Sequence, residues 1–166
     1  MNIEVHRIKS TEAVKLRACR LAALEDSPHA FGVTLEDEKM KPISAFESDA
    51  FRLSSSDKSS MFLAHYSDQV YGQIGAFIDS SGDAYICAMW VSPLARNMKV
   101  GTRLANVANN WLVECGHNSI YAWVVDNNDV AISFYKRLGF IATKRTQMLP
   151  SEQTLSETLY VRKEYS

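Results

Sequence analysis

The chain has 166 residues, of which 46% are hydrophobic and 22% are charged, and its formal net charge is −1. This size and composition predict one globular domain, residues 1–166. They exclude a membrane-spanning helix, because no apolar run approaches the roughly 20 residues that such a helix needs. A near-neutral charge also excludes a protein-wide attraction to nucleic acid or to anionic lipid, so any anion binding must be local.

The first residues and the cysteines both favour a cytoplasmic location. The opening sequence MNIEVHRIKS alternates apolar and polar residues and lacks the basic and then apolar layout of a secretory signal. Cys19, Cys87 and Cys115 are odd in number, widely spaced and set among apolar residues, so we expect reduced thiols in the core rather than disulfides. Neither they nor the scattered histidines show metal-ligand spacing, and no metal is expected.

The N-terminal third is predicted to contain one strand and two helices. Residues 3–8 alternate like a half-buried strand, and Thr11 follows as the N-cap of a helix that ends near Pro28. Residues 29–41 read as a long loop, a kind of segment that often carries function. A short helix is expected from Ile43 to about Leu53, with the polar stretch SSSDKSS after it as an exposed connector.

The middle of the chain is predicted to form the centre of a sheet. Met61–Tyr66 and Val70–Ile78 are expected to pair as an antiparallel hairpin. The next two strand-like runs, Ala84–Val91 and Ile120–Val125, are apolar on both faces, as buried central strands are. Between them apolar residues recur at helical spacing over 100–115, so this part of the chain predicts a parallel, right-handed crossover.

The C-terminal part completes the predicted fold. A second helix, Val130–Leu138, ends at Gly139, and strands near 140–146 and 158–163 follow. The predicted fold class is α+β, with three layers. A mixed, mostly antiparallel sheet of about seven strands lies between helices and contains one parallel strand–helix–strand crossover.

The start of the helix over 100–115 carries an unusual charge pattern. Arg96, Lys99 and Arg103 surround its N-terminus, where the helix dipole already favours negative charge, and Asn97 is expected to cap the helix. A bound phosphate would resolve this conflict, since the first-turn amides need acceptors and Gly101 lets an anion approach the backbone. The alternative is a solvated basic turn without a ligand. The order KVGT does not fit a P-loop, and one glycine does not make a dinucleotide motif.

The second motif, VDNNDVAISFYKRLGF, covers 125–140. Its polar turn after a buried strand leads into a short helix, on which Tyr135 lies one turn beyond Ala131 on the same face. Together with the basic turn, this motif resembles the GNAT superfamily of acyl-coenzyme A-dependent N-acyltransferases. The family pattern Asn-x-x-Ala-[Ile/Ala]-x-x-Tyr-x-x-x-Gly-Phe is matched by Asn128, Ala131, Ile132, Tyr135, Gly139 and Phe140. The family's signature Gln/Arg-x-x-Gly-x-Gly/Ala is matched over 96–101, except that Lys99 replaces the first glycine.

The resemblance implies a binding site for acetyl-coenzyme A, the acyl donor. The coenzyme pyrophosphate would be held by the backbone amides of one continuous turn, namely Arg96, Asn97, Met98, Lys99, Val100, Gly101 and Thr102. Backbone groups of Met89 and Val91 would pair with the acyl carbonyl and with the pantetheine, which lies like an added strand. Asn128 and Tyr135 match family positions beside the pantetheine and the thioester sulfur.

Acyl transfer to an amine also needs proton transfers. Tyr135, with an ordinary pKa of about 10, can give a proton to the departing coenzyme thiolate and is the predicted catalytic residue; simple packing beneath the sheet is its alternative role. The base that takes the amine proton is left open among Glu25, Asp26, His117 and Asp126. A covalent route through Cys87 has no recognisable histidine partner.

The acceptor is expected to lie beneath 21–38 and the loop MLPSEQTLSE, which resemble the variable acceptor side of the family. Glu36, Asp37 and Glu38 could attract a cationic amine, although an acidic run is commonly just solvated. The leading hypothesis is an N-acetyltransferase that acts on a small-molecule or protein amine by direct attack in a ternary complex. A non-catalytic module that senses acyl-coenzyme A or binds a partner is the alternative, and a nucleotide-phosphate enzyme lacks the carboxylates for a metal. Edge strands would permit a homodimer without requiring one.

Overall fold

The computed structural model describes residues 1–29, 31–150 and 152–164. These residues form seven strands and five helices. The N-terminal elements are β1 (Glu4–Arg7), α1 (Ala13–Asp26), α2 (Leu35–Met40), α3 (Ile43–Ser55), β2 (Ser59–Tyr66) and β3 (Gln69–Ile78). They are followed by β4 (Ala84–Val91), a 3-10 turn (Pro93–Ala95), α4 (Val100–Glu114), β5 (Ser119–Val125), α5 (Asp129–Arg137), β6 (Ile141–Leu149) and β7 (Glu152–Lys163).

The strands form one mixed sheet in the order β1-β2-β3-β4-β5-β7-β6. Neighbouring strands are antiparallel except for β4 and β5, which run parallel on either side of the crossover helix α4. This arrangement confirms the predicted fold class. It places the one parallel pair, and therefore the ends of β4 and β5, at the centre of the sheet.

Helices cover both faces of the sheet, and alternating residues of each strand face opposite cores. On one face α4 and α5 pack over a core that includes Phe62, Ile74 and Leu104. On the other face α1 and α3 pack over a second core that includes Leu63 and Phe46. The side of the sheet that carries α1 and α3 is called the α1 face below.

Two predicted helix features are wrong at the N-terminal end. Thr11 does not cap α1, because the helix begins at Ala13 and Glu12 occupies the cap position. The Glu12 carboxylate instead accepts hydrogen bonds from the Lys9 amide at 2.9 Å and from His6 at 2.8 Å. The region 29–41 is not all loop, since Thr34 accepts a hydrogen bond from the Asp37 amide at 3.2 Å and caps the short helix α2.

The predicted loop over 148–157 is largely strand. β6 continues to Leu149, and β7 begins at Glu152 and pairs with it through Met148 opposite Ser156 and Gln147 opposite Glu157. Polar strand residues such as these take their conformation from cross-strand pairing, which local propensity does not reveal. Ala30 and Ser151, which fall within the two predicted loops, lie outside the described residues.

The cysteine prediction is partly wrong. All three cysteines are free, as expected, but only Cys19 is buried, whereas Cys87 and Cys115 are exposed. Cys115 follows directly after the last residue of α4, where the helix turns away from the core. No helix in the described part of the chain is long and apolar enough to cross a membrane.

Candidate active site

The central feature of the molecule is a cleft of about 1090 Å³ where β4 and β5 separate. Among the described residues, these strands pair only at Ala84 with Ile120 and Tyr85 with Tyr121. β5 remains paired with β7 along its whole length, so the separation lies on its β4 side. On the side toward β5, the backbone of β4 beyond Tyr85 therefore faces an open gap, whereas its other side stays paired with β3.

A β-bulge in β4 bends the strand at this gap. The register with β3 passes from Gln73 opposite Trp90 to Gly75 opposite Cys87, so Ala88 and Met89 together oppose one residue. Ala88 has a φ of 51°, a left-handed conformation that few alanines adopt. A bulge of this kind interrupts the ladder and leaves backbone groups unpaired. The amide of Met89, the predicted partner of the acyl carbonyl, lies in this segment.

Side chains on β3 support the bulge. Gln73 is 2% exposed, and its Nε2 donates a hydrogen bond to the Ala88 carbonyl at 3.1 Å. Gly75 leaves room for Cys87, because a Cβ at Gly75 would lie 2.8 Å from the Cys87 sulfur. The bulge is thus held by a specific hydrogen bond and by a close approach that only glycine permits.

The turn before α4 begins with two residues in the left-handed region, Asn97 (φ 67°) and Lys99 (φ 60°). The prediction that Asn97 caps the helix is wrong, since Lys99 occupies the cap position and makes no side-chain cap. The amides of Val100, Gly101 and Thr102 have no acceptor within the helix. Successive amides in such a turn form a concave site for an anion. Lys99 shows why the family has glycine here: the position requires a positive φ.

The three basic residues around this turn differ in their partners. The Arg96 guanidinium pairs with Asp26, and its Nε donates to the Val91 carbonyl at 3.1 Å. Lys99 and Arg103 are exposed and have no ion-pair partner within the described residues. Two of the three cations are therefore available to an anion at this turn.

Asp26 links the turn to the end of α1. Its carboxylate accepts hydrogen bonds from Arg96 and, at 3.0 Å, from the Trp90 indole nitrogen. Partial desolvation opposes ionisation of this group, but the hydrogen bonds from Trp90, Ser27 and Arg96 and the Arg96 charge outweigh it and lower the Asp26 pKa. Asp26 is thus an ionised structural link.

Gly101 lies in the first turn of α4 and faces the cleft wall. A Cβ at Gly101 would lie 3.0 Å from the Met89 methyl and 3.1 Å from the Phe134 ring. The sequence suggested that this glycine admits an anion to the backbone. The structure gives it a second use, because the missing side chain lets α4, β4 and α5 approach each other at the cleft.

Tyr135 and Asn128 come from α5 and the turn before it. Tyr135 is 6% exposed, and its ring packs edge-on against Phe134 and Phe140 at 5.4 Å. Burial, with a smaller contribution from Cys87, raises the Tyr135 pKa, so the phenol is fully protonated at neutral pH. Asn128 caps α5 by accepting a hydrogen bond from the Ala131 amide at 3.1 Å.

The structure brings ten of the eleven predicted site residues together along the cleft. They are Met89, Val91, Arg96, Asn97, Lys99, Val100, Gly101, Thr102, Asn128 and Tyr135. Met98 does not line the cleft and is 40% exposed. Met98 lies between the two left-handed residues of the turn, Asn97 and Lys99.

The four residues considered as the base do not line the cleft. Asp26 is engaged as described, and Asp126 accepts a hydrogen bond from the Thr158 hydroxyl at 2.5 Å and another from Ser156. Glu25 and His117 likewise lie outside the lining. None of the four is placed to receive a proton inside the cleft.

Sequence reasoning missed Glu157. This residue lines the cleft, is 6% exposed and accepts a hydrogen bond from Gln147 Nε2 at 2.6 Å. Burial raises the Glu157 pKa, and the nearby Asp126 charge adds to this, although the Gln147 hydrogen bond opposes it. The available signal was the alternation of Leu155, Glu157 and Leu159, which puts an acid at an inward position of a strand.

Cys87 is accessible from the cleft but poorly suited to nucleophilic attack. Desolvation raises the pKa of its thiol to about 11, so almost none is thiolate at neutral pH. No group of three or more His, Cys, Asp or Glu side chains within 1–29, 31–150 and 152–164 could hold a metal ion.

The site is thus a central cleft at a bulged strand, beside an anion-receptive turn, in an α+β fold. The sequence profile of the acetyltransferase (GNAT) family matches residues 20–140, and the chain therefore belongs to this family. The match confirms the resemblance found in the sequence. A search of curated protein sequences found no match.

Solved structures agree with this fold at low sequence identity. An acetyltransferase of the GNAT family from Streptococcus pneumoniae is 16% identical, with a TM-score of 0.82 over 99% of this chain and 100% of the other. PaiA N-acetyltransferase from Thermoplasma acidophilum in complex with coenzyme A is 16% identical, with a TM-score of 0.76 over 98% and 99%. A putative streptothricin acetyltransferase from Bacillus anthracis in complex with acetyl coenzyme A is 21% identical, with a TM-score of 0.61 over 69% and 68%.

Proposed function

We propose that the protein transfers the acetyl group of acetyl-coenzyme A to a primary amine by direct attack in a ternary complex. One observation carries this proposal: a single cleft joins an anion-receptive turn, an unpaired strand segment and a buried, protonated tyrosine. The turn suits a phosphate, the unpaired strand segment suits a thioester carbonyl, and the tyrosine suits a departing thiolate. The relatives solved with coenzyme A or acetyl coenzyme A support a donor of this kind.

The turn over 96–102 would hold the coenzyme pyrophosphate. Its amides donate hydrogen bonds, and the exposed ammonium of Lys99 adds a charge that compensates in part for the absence of glycine. Val91 would hold the pantetheine as an added strand does. Its carbonyl already accepts a hydrogen bond from Arg96, and a carbonyl oxygen can accept two.

The chemistry would be divided between the bulge and α5. The Met89 amide would donate a hydrogen bond to the acyl carbonyl, where negative charge develops during attack. Tyr135 would give its proton to the sulfur as the carbon–sulfur bond breaks, and Asn128 would orient the pantetheine beside it. The raised pKa of Tyr135 keeps this proton in place before the reaction. The protein would act in the cytoplasm, where free cysteines are typical.

The first test is thermal unfolding with acetyl-coenzyme A, coenzyme A or ATP. Acetyl-coenzyme A at about 100 times its Kd should stabilise the fold by about 2.7 kcal/mol, a shift of roughly 5–11 °C for a domain of this size. Acetyl transfer to a panel of amines would then be followed by mass spectrometry. Binding without transfer to any amine would favour the non-catalytic sensing or partner-binding alternative. A shift with ATP alone would contradict both.

A further inference from the structure

The part of the cleft on the α1 face is the side from which an acceptor can reach the gap between β4 and β5. Glu157 is paired with Val125, and Trp123 lies two residues before Val125, so their side chains share one face. Trp90 lies on the same face, where it packs against Leu24 of α1 and Phe31. All six of these residues line the cleft, as does Leu149.

 

Each of these side chains therefore forms part of the cleft wall on the α1 face. The wall is mostly apolar and aromatic, and the region that it encloses is called the acceptor subsite below. Such a wall suits an acceptor whose body is a hydrocarbon or an aromatic ring.

Three carboxylates line the cleft, and two of them are each paired with a cation. Arg20 lies 2.8 Å from Asp49, and Lys41 lies 2.5 Å from Glu38. Glu157 is the one carboxylate lining the cleft that has no cation within ion-pair distance among the described residues. Its hydrogen-bond donor is the neutral amide of Gln147. Glu157 therefore has no cation within ion-pair distance in the described part of the chain, and the nearby Arg145 guanidinium lies over the Trp123 ring at 5.8 Å instead.

Gln73, which lies on β3 opposite Trp90, has a buried acceptor atom without a donor among the described residues. It lines the cleft and is 2% exposed, and its Nε2 is used by the Ala88 carbonyl. Its Oε1 is buried without a hydrogen-bond partner in the part of the chain that the structure describes. A buried acceptor without a donor is costly, and a ligand that brings N–H groups would relieve it.

We infer that the acceptor is a primary amine with one positive charge on an apolar or aromatic body, and that Glu157 binds its ammonium group and takes its proton. This inference rests on the proposed acetyl transfer. Trp90 and Trp123 would surround the body of the amine. A polyamine or an aminoglycoside would bring further ammonium groups, for which the acceptor subsite offers no unpaired carboxylate.

The proposed reaction moves protons through Glu157 and Tyr135. The Glu157 carboxylate takes one proton from the ammonium nitrogen, whose lone pair then forms a bond to the thioester carbonyl carbon. The carbon–sulfur bond breaks, and the sulfur takes the Tyr135 proton. The nitrogen loses its second proton as the amide forms, and this proton restores Tyr135 through solvent. Glu157 then releases its own proton to solvent, so that one ammonium and one thioester give one amide, one thiol and one proton.

The environment of Glu157 suits this role. An alkyl ammonium has a pKa of about 10.4 and an ordinary glutamate of about 4.3, so an ordinary carboxylate is a weak base toward it. Burial of Glu157 raises the pKa of its carboxyl group, so the difference between the pKa values of the ammonium and the carboxyl group becomes smaller. The bound ammonium in turn stabilises the ionised carboxylate until the proton moves.

The test compares ligands and variants in pairs. The amine probe is 2-phenylethylamine, and its uncharged counterpart of similar shape is 2-phenylethanol, with binding followed by tryptophan fluorescence in the presence of coenzyme A. The wild-type protein should bind the amine at least about tenfold more tightly than the alcohol, and Glu157→Gln should remove this preference. The exposed Glu47 of α3 lies outside the cleft, so Glu47→Gln is a control with the same change in charge.

Turnover provides the second measurement. Glu157→Gln should lower kcat/KM for 2-phenylethylamine by about 10²–10⁴-fold and leave the Kd of acetyl-coenzyme A within about twofold of wild type. Because burial disfavours the charged carboxylate, this variant should unfold at a temperature no lower than wild type at pH 8. The melting curve therefore shows that any loss of activity is not a loss of folding. Glu157→Asp should retain part of the activity.

The outcomes separate the inference from the proposed function. Faster acetylation of spermidine or neamine than of 2-phenylethylamine would overturn the inference and leave acetyl transfer intact. An undiminished preference for the amine in Glu157→Gln would do the same. Acetyl-coenzyme A binding without acetylation of any of these amines would overturn the proposed function, and the inference with it.

Discussion

Lys99 provides the sharpest test of the donor turn, because one side chain carries two separable effects. Its backbone lies in the left-handed region at φ 60°, where glycine is favoured, and its ammonium is exposed beside the first turn of α4. Lys99→Gly removes both the backbone cost and the charge. Lys99→Ala removes only the charge, because alanine has the same difficulty in this conformation. The two variants therefore form a matched pair.

The expected difference in stability follows from two terms. A left-handed conformation costs a residue with a Cβ about 1–2 kcal/mol relative to glycine. Glycine gives back about 0.4–1 kcal/mol, since it makes the unfolded chain more flexible. At the midpoints of these two ranges, Lys99→Gly should be more stable than Lys99→Ala by about 0.8 kcal/mol, which corresponds to roughly 2–3 °C in Tm for a chain of this length.

The effect of the Lys99 charge should be seen in the affinity for coenzyme A rather than in the stability of the fold. An exposed ammonium near a phosphate contributes up to about 1 kcal/mol, or about fivefold in Kd, and less as salt screens it. Both variants should bind coenzyme A more weakly than wild type by a similar factor in low salt, as measured by calorimetry. The reasoning is refuted if Lys99→Ala is as stable as Lys99→Gly, or if either variant binds coenzyme A as tightly as wild type in low salt.

Three further predictions concern Tyr135, Asp26 and Cys87. Tyr135→Phe should lower turnover by about 10²–10⁴-fold in steady-state assays, with the Kd of acetyl-coenzyme A nearly unchanged in calorimetry. Asp26→Asn should lower the Tm at pH 7 by up to about 2–4 °C, since a partly exposed pair contributes at most about 1 kcal/mol. The folded pKa of Asp26 is lowered, so this stabilisation is present above the ordinary value of 3.8 and is lost as the pH falls through the folded value. Iodoacetamide at pH 8 should label Cys115 before Cys87, whose pKa is about 11, as peptide mapping would show.

Each of these predictions has a result that would contradict it. Equal loss of turnover and of coenzyme affinity in Tyr135→Phe would indicate a packing role for the ring. A difference in Tm between Asp26→Asn and wild type that does not shrink as the pH is lowered from 7 would mean that charge is not its cause. Labelling of Cys87 ahead of Cys115 would show that the Cys87 thiol is far more acidic than its desolvation within the cleft implies.

The sequence predicted the central elements well because their patterns are local. Ala84–Val91 and Ser119–Val125 are strands, as their apolar runs indicated, and a helix of the expected spacing joins them. The asparagine and glycine that bound α5 act through their own backbone neighbourhood: Asn128 caps the helix, and Gly139 follows its end with a φ of 91°. Such features depend on residues that are close along the chain, so they can be predicted from the sequence.

Other features depend on partners that are distant along the chain and come together only on folding. Asp26 and Arg96 are 70 residues apart, and nothing near either one indicates their ion pair. Glu157 becomes a cleft residue only because β7 pairs with β5 on the far side of the gap.

The donor turn shows both contributions in one place. The residue types of this turn can be read from the sequence, since Arg96, Lys99, Gly101 and Arg103 form a local pattern. The tertiary structure decided the left-handed conformation of Lys99 and the attachment of Arg96 to α1. The physical reason is that helix signals act within a few residues along the chain, whereas ion pairs, bulges and buried carboxylates depend on segments that folding brings together.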